Sequence, residues 1–197
     1  MSDNQLTIKD RLEDILESIN LIQEWSDGRK TVQDFMSSST VMRNVFFPEE
    51  VVRTDDLYFA CYMVERIARR LKQPNKYVVN MIGHDELAKK LSLADVLHSM
   101  NPLQVEADWI DEYHLQTGDY DVTNVDKELC PNIPSSTQMG KVYKRLVLGT
   151  IQPDEDYADA MLRVYNNPIC EVLDNYNCSA YYEPSPYITR SYYAGGF

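Results

Sequence analysis

Three histidines, four cysteines and a dense set of carboxylates are the side chains of this 197-residue chain that could do chemistry. His114 follows Asp111 by three and Asp108 by six, so one helix face would present an imidazole beside carboxylates. That is the start of a general base or a metal site, but a metal needs a further ligand and a base needs a positioned nucleophile. Neither stands nearby in sequence, so a solvated polar face is the expectation and an enzyme built on Asp108, Asp111 and His114 the alternative. His84 opens His84-Asp85-Glu86, which suits an exposed helix start, and His98 lies among apolar neighbours.

Cys61, Cys130, Cys170 and Cys178 form no C-x-x-C pair, and none lies near a histidine in sequence, which argues against a structural zinc site of the common type. They read as reduced thiols, with Cys61 and Cys170 filling the core. Asp119, Asp121 and Asp126 sit in a stretch superficially like a calcium loop. Asn124, however, stands where the sharp turn wants glycine, and Cys130 where a bidentate glutamate belongs. No glycine-rich phosphate loop, G-x-S-x-G or H-E-x-x-H occurs. No catalytic residue, metal or cofactor is assigned.

Charge is the broader signal. The net charge is −12, divided as −3 over residues 1–100 and −9 over residues 101–197. Between Glu106 and Glu128 lie Glu106, Asp108, Asp111, Glu112, Asp119, Asp121, Asp126 and Glu128 against a single lysine. Such a field repels nucleic acid and anionic membrane and attracts a basic protein surface. Six tyrosines fall between Tyr176 and Tyr193. The adjacent pairs Tyr181-Tyr182 and Tyr192-Tyr193 cannot both turn inward on a regular element, so some rings should reach solvent. Tyr181, Tyr182, Tyr187 and Tyr192 are the candidate anchors for a partner, and the acidic residues its electrostatic guide. Tyr165 and Tyr176 read as core.

The elements that must position these groups are helices. Ile8, Leu12, Ile15, Ile19 and Ile22 mark a first, with Thr7 and Asp10 at its start and Asp27-Gly28 at its end. Leu57, Cys61, Val64, Ala68 and Leu71 mark a second, starting near Asp55 and ending at Gln73-Pro74, with Arg66, Arg69 and Arg70 mainly off its buried stripe. A short helix carrying Tyr77, Val78 and Met81 stops at Gly83, and two more precede Pro102. Another buries Trp109, Ile110 and Tyr113. From Thr117 to Ser136 the periodicity fails. Helices resume with Met139, Val142, Tyr143, Leu146 and Val147 behind a Ser135 or Ser136 cap. Asn167-Pro168 and Ser185-Pro186 open the last two as cap and N1 proline. The pattern predicts an all-α multi-helix bundle: an N-terminal half at 1–116, a linker at 117–136 and a C-terminal half at 137–197. The polar N-terminus lacks the pattern of a secretory leader, and no apolar run could span a bilayer, so a cytoplasmic location is expected.

Two stretches resemble known families. The run from Tyr62 to Tyr113, through Val64-Glu65, Val78-Val79, Val96-Leu97-His98 and Ile110-Asp111-Glu112, resembles a family of small bacterial helical proteins of undetermined activity. The closing part, with "NYNCSAYYEPSPYI" and "YYAGGF", resembles a second such group. Both look like companions encoded beside ADP-ribosyltransferase-type toxins, which implies an antitoxin-like or accessory role. The helix from Ile8 to Trp25 is similar to the opening helix of helical nucleotidyltransferase-type toxins, whose Arg-x-x-x-x-His signature is missing here. The charge asymmetry, the partly exposed tyrosines and the lack of a catalytic constellation point to a non-catalytic binding protein, antitoxin- or inhibitor-like, that masks or regulates a protein partner such as a toxin or a nucleic-acid-handling effector. A nucleic-acid mimic acting on an effector such as a CRISPR nuclease is the alternative.

Overall fold

The computed structural model describes residues 42–197, which belong to one compact unit. The helix expected from Ile8 lies outside them. Among the described residues eight α-helices succeed one another: α1 Thr54–Leu71, α2 Asn75–Ser92, α3 Ala94–His98, α4 Pro102–Glu112, α5 Ser136–Thr150, α6 Tyr157–Tyr165, α7 Ile169–Leu173 and α8 Ser185–Ala194. The architecture is all-α, as its periodicity predicts. Extended pairing among the described residues is confined to one bridge between Arg43 and Val51. No helix among them is long and apolar enough to cross a membrane.

Helix α1 is central. Its predicted stripe is buried throughout, from Leu57 to Leu71, and a cap built by Asp56, whose carboxylate accepts the Arg53 N–H at 2.6 Å, fixes its start. Lys72 ends it in the left-handed conformation, and Pro74 caps the next helix. Around α1 pack α5 and α2 as principal neighbours, while α6 packs on α2 and α8 on α5. Gly140 makes the α1–α5 crossing close: a Cβ there would stand 3.0–3.1 Å from the Tyr62 backbone and Cβ. Gly140→Val is therefore expected to force the two helices apart and cost about 1–3 kcal/mol, measured as a lower midpoint in urea unfolding.

Gly83 behaves as the sequence suggests. Its φ of 74° and ψ of 171° break α2 into two helical segments, and the second opens at His84. Met81, expected inside, faces solvent because the buried face of that segment is made by Val78, Val79 and Ile82. At the two proline starts the caps shift slightly. Pro168 and Pro184 hold the cap positions, and Asn167 acts from one residue further out by accepting the Ile169 N–H at 3.0 Å.

The irregular stretch 117–136 does not separate two bodies. Gly118 N–H donates to Leu71 O at 2.7 Å, Tyr120 N–H to Lys72 O at 2.9 Å, and Asp126 N–H to the Asn177 side chain at 2.8 Å. Cys130, within the stretch, is itself buried. With α1 and α5 sharing one core across the supposed boundary, the segment is a strap laid over the bundle.

Candidate functional site

Under that strap lies a polar cluster that no single stretch of sequence announces. Glu65 sits on the buried stripe of α1, only 1% exposed, four residues after Cys61 and three before Ala68. Its Oε1 accepts from Arg69 Nε at 2.5 Å and from the Tyr176 hydroxyl at 2.6 Å, and its Oε2 accepts from Asn75 Nδ2 at 2.8 Å. Arg69 also donates to the Tyr176 hydroxyl at 2.7 Å and lies over that ring. The Asn75 amide group turns its other hydrogen toward Asp174, 3.1 and 3.2 Å from the two carboxylate oxygens. Asp174 Oδ1 further accepts from the Tyr143 hydroxyl at 2.5 Å. Tyr143 stacks on Tyr165 with ring centres 4.3 Å apart. One amide thus bridges two buried carboxylates, and that duty fixes its orientation and leaves Asn75 Oδ1 without a partner.

The electrostatics follow from this enclosure. Burial, then the neighbouring Glu65 charge, pushes the Asp174 carboxyl up to about 8, against the opposing effect of the Tyr143 and Asn75 hydrogen bonds and of Arg69. Burial likewise holds the Tyr143 and Tyr165 phenols well above the ordinary tyrosine range. At Arg69 burial works against the charged form, but Glu65 and Tyr176 outweigh it and raise the guanidinium above its usual value.

Asp174 also lines an open cleft of about 520 Å³. Tyr120, Tyr176, Val122 and Val125 give it aromatic and aliphatic wall, and Asn124, Asn175 and Asn177 give amides. Its charged rim is paired: Lys76 Nζ meets Glu171 at 2.8 Å, and Lys72 Nζ meets Asp121 at 3.5 Å. Tyr120 reaches across to the Asp174 carbonyl at 3.4 Å. Cys170 lines the cleft too, but burial raises its thiol well above the usual value and Sγ donates to Val164 O at 3.0 Å, so it is no activated nucleophile.

The residues expected to meet a partner are scattered by the fold. Glu106 is buried, not displayed: Arg66 Nη2 stands 2.7 Å and Arg70 Nη1 3.0 Å from its carboxylate. Glu112 is paired with Lys90 at 2.6 Å and Asp121 with Lys72, so part of the expected field is neutralised. Asp108 faces solvent beside Gln104, and Asp111, His114, Asp119, Asp126 and Glu128 are exposed. His114 adopts φ 51° beyond the end of α4, off the helix face it was expected to share with Asp108 and Asp111. Of the tyrosines, Tyr181 is buried with its hydroxyl 3.8 Å from Cys130 Sγ, whereas Tyr182 is 64% exposed. Tyr192 is half-buried and accepts from Arg163 Nη1 at 2.7 Å, and its neighbour Tyr193 is 66% exposed. Tyr187 is half-buried with its ring centre 6.0 Å from that of Phe197, which ties the chain end to α8. A groove of about 210 Å³ beside Tyr182 contains Lys141 and Arg145 as well as Glu183, so the phenolic cap has surroundings of mixed sign.

Cys61 and Cys170 are core, as their sequence context suggests, and so are Tyr165 and Tyr176. Glu65, Asn75 and Asp174 were missed. A carboxylate at position 65 on the apolar stripe of α1 is the one local sign that could have pointed to them. The chain matches no family model, no curated protein and no solved structure.

Proposed function

We propose that this protein is a non-catalytic binding protein that masks or regulates a basic protein partner, and that the Asp174 cleft receives a cationic side chain of that partner. The observation that carries the reading is an open cleft lined by the buried residue Asp174 together with Tyr120 and Tyr176. A guanidinium or ammonium entering it would meet an aromatic face and an acceptor whose ionisation it favours. The net charge of −12 supports a basic partner by favouring its approach. An antitoxin-like role, as the family likenesses imply, is one form of such masking, and a cytoplasmic setting suits the free thiols.

Because Asp174 must give up its proton to hold a cation, binding and proton release are linked. Methylguanidinium and an arginine-rich peptide should bind more tightly at pH 9 than at pH 6, by about tenfold or more, in calorimetric titrations. Asp174→Asn should flatten that dependence. Absence of binding, or an affinity indifferent to pH, removes the cation-capture role.

The raised Asp174 carboxyl favours one second reading, a general acid in a small enzyme. It shares the cleft but requires turnover, and Asp174→Asn would then abolish rate while leaving ligand affinity measurable. Nucleic-acid mimicry draws less support, because it needs unpaired carboxylates in a regular row, and Glu106, Glu112 and Asp121 each hold a cationic partner.

A further inference from the structure

A second constellation stands apart from the cleft residues. His84 follows the break at Gly83 and so opens the second segment of α2. Asp156 caps α6, its Oδ1 accepting the Asp159 N–H at 2.8 Å, and Asp159 lies in the first turn of that helix. Packing of α6 against α2 brings the three together across 72 residues of sequence. His84 Nε2 faces Asp156 Oδ2 at 3.2 Å and Asp159 Oδ1 at 3.6 Å. On the other side of the ring, His84 Nδ1 lies 2.9 Å from Asp85 Oδ1.

We propose that His84, Asp156 and Asp159 form a binding site for a divalent first-row transition-metal ion, with one imidazole and two carboxylates as protein ligands. First, the ligand atoms have the spacing of a coordination edge. Bonds of about 2.1 Å to a tetrahedral ion place neighbouring ligand atoms about 3.4 Å apart, and the 3.2 and 3.6 Å separations bracket that value. All three ligand atoms lie within 4.8 Å of one another.

Second, the imidazole is oriented as metal-bound imidazoles are. Asp85 Oδ1 stands at Nδ1, and a ring carrying its proton there directs the Nε2 lone pair at the other two carboxylates. A lone pair aimed at two anions is repulsive unless a proton or a cation lies between them. The arrangement therefore demands one or the other, and protonation of His84 competes with the metal.

Third, the site has access and room. Asp159 is exposed and His84 and Asp156 are partly so, which leaves coordination positions for water. The mixed nitrogen and oxygen set suits zinc, cobalt or manganese better than calcium, which prefers six to eight oxygens. Asp156 is oriented by capping α6, although the positive N-terminal end of that helix does not itself favour a cation.

Cobalt(II) supplies the test, since its absorption spectrum distinguishes ligand types. Titration of the full chain at pH 7.5 should give one equivalent of bound cobalt with ligand-field bands and no thiolate charge-transfer band. The affinity should fall at least tenfold when pH is lowered to 5.5, as protons occupy the imidazole. His84→Ala should abolish binding, and Asp156→Asn, which keeps a capping oxygen, should weaken it at least tenfold while circular dichroism remains unchanged. Asp108→Asn is the control that leaves it intact. A thiolate charge-transfer band, binding unaffected by His84→Ala, or no saturable binding would each overturn the proposal. The last outcome would leave a protonated His84 as the cation that the two aspartates hold.

Discussion

Replacing Glu65 by alanine is expected to lower the unfolding free energy by about 3–5 kcal/mol. The carboxylate is 1% exposed and accepts from Arg69, Tyr176 and Asn75. Its removal leaves a largely buried guanidinium without a counter-charge and two buried donors without an acceptor. Leaving a buried polar group unmade costs far more than the net worth of a typical hydrogen bond. Against a native stability of about 5–15 kcal/mol, that is a large fraction of the total. The paired substitution Glu65→Met with Arg69→Met removes both charges and keeps apolar volume. It should recover most of the loss, because buried ion pairs can be exchanged for packed hydrophobes at little cost. Urea unfolding of the three proteins decides the matter. A loss below about 1 kcal/mol for Glu65→Ala would mean that water reaches the cluster and that it does not organise the core.

What the sequence made legible is set by the range of the interactions involved. The stripe from Leu57 to Leu71 repeats within one helix, and every member is buried as its spacing requires. Gly83, Ser135 and Gly195 act within a few residues of themselves, so the α2 break, the α5 cap and the α8 end could be read locally. The strap from 117 to 136 was legible as irregular but not as packed, since its anchors at Leu71, Lys72 and Asn177 are distant in sequence. The same limit hid the cleft. Asn75 meets Asp174 across 99 residues and Tyr176 meets Glu65 across 111, and no periodicity encodes such meetings. Charge counting failed at Glu106 for a related reason: composition does not show that Arg66 and Arg70, on α1, would cover a carboxylate on α4. Tyrosine pairs fared better: Tyr181 is buried and Tyr182 reaches solvent, although their ring centres lie 4.5 Å apart.

Substituting asparagine for Asp174 is expected to change how stability depends on pH more than its value at low pH. In the folded protein burial and Glu65 push this carboxyl up to about 8, while in the unfolded chain it titrates near an ordinary aspartate, about 3.9. Between those limits the folded state holds a proton that the unfolded state has released, so this group makes stability fall as pH rises from about 4 to about 8 and then level off. Asparagine cannot ionise. It keeps an oxygen to accept from Tyr143, and its amide carries no charge to set against Glu65. The variant should match the parent near pH 4 and exceed it by a few kcal/mol at pH 8, read from urea unfolding at each pH. If the two proteins keep the same difference from pH 4 to pH 8, Asp174 ionises normally in the folded state. Methylguanidinium provides the link to function. In the parent it should restore stability chiefly above pH 7, where it stabilises the ionised carboxylate, and in Asp174→Asn it should do so at no pH. The cost of the buried charge would then be the free energy that a bound cation recovers.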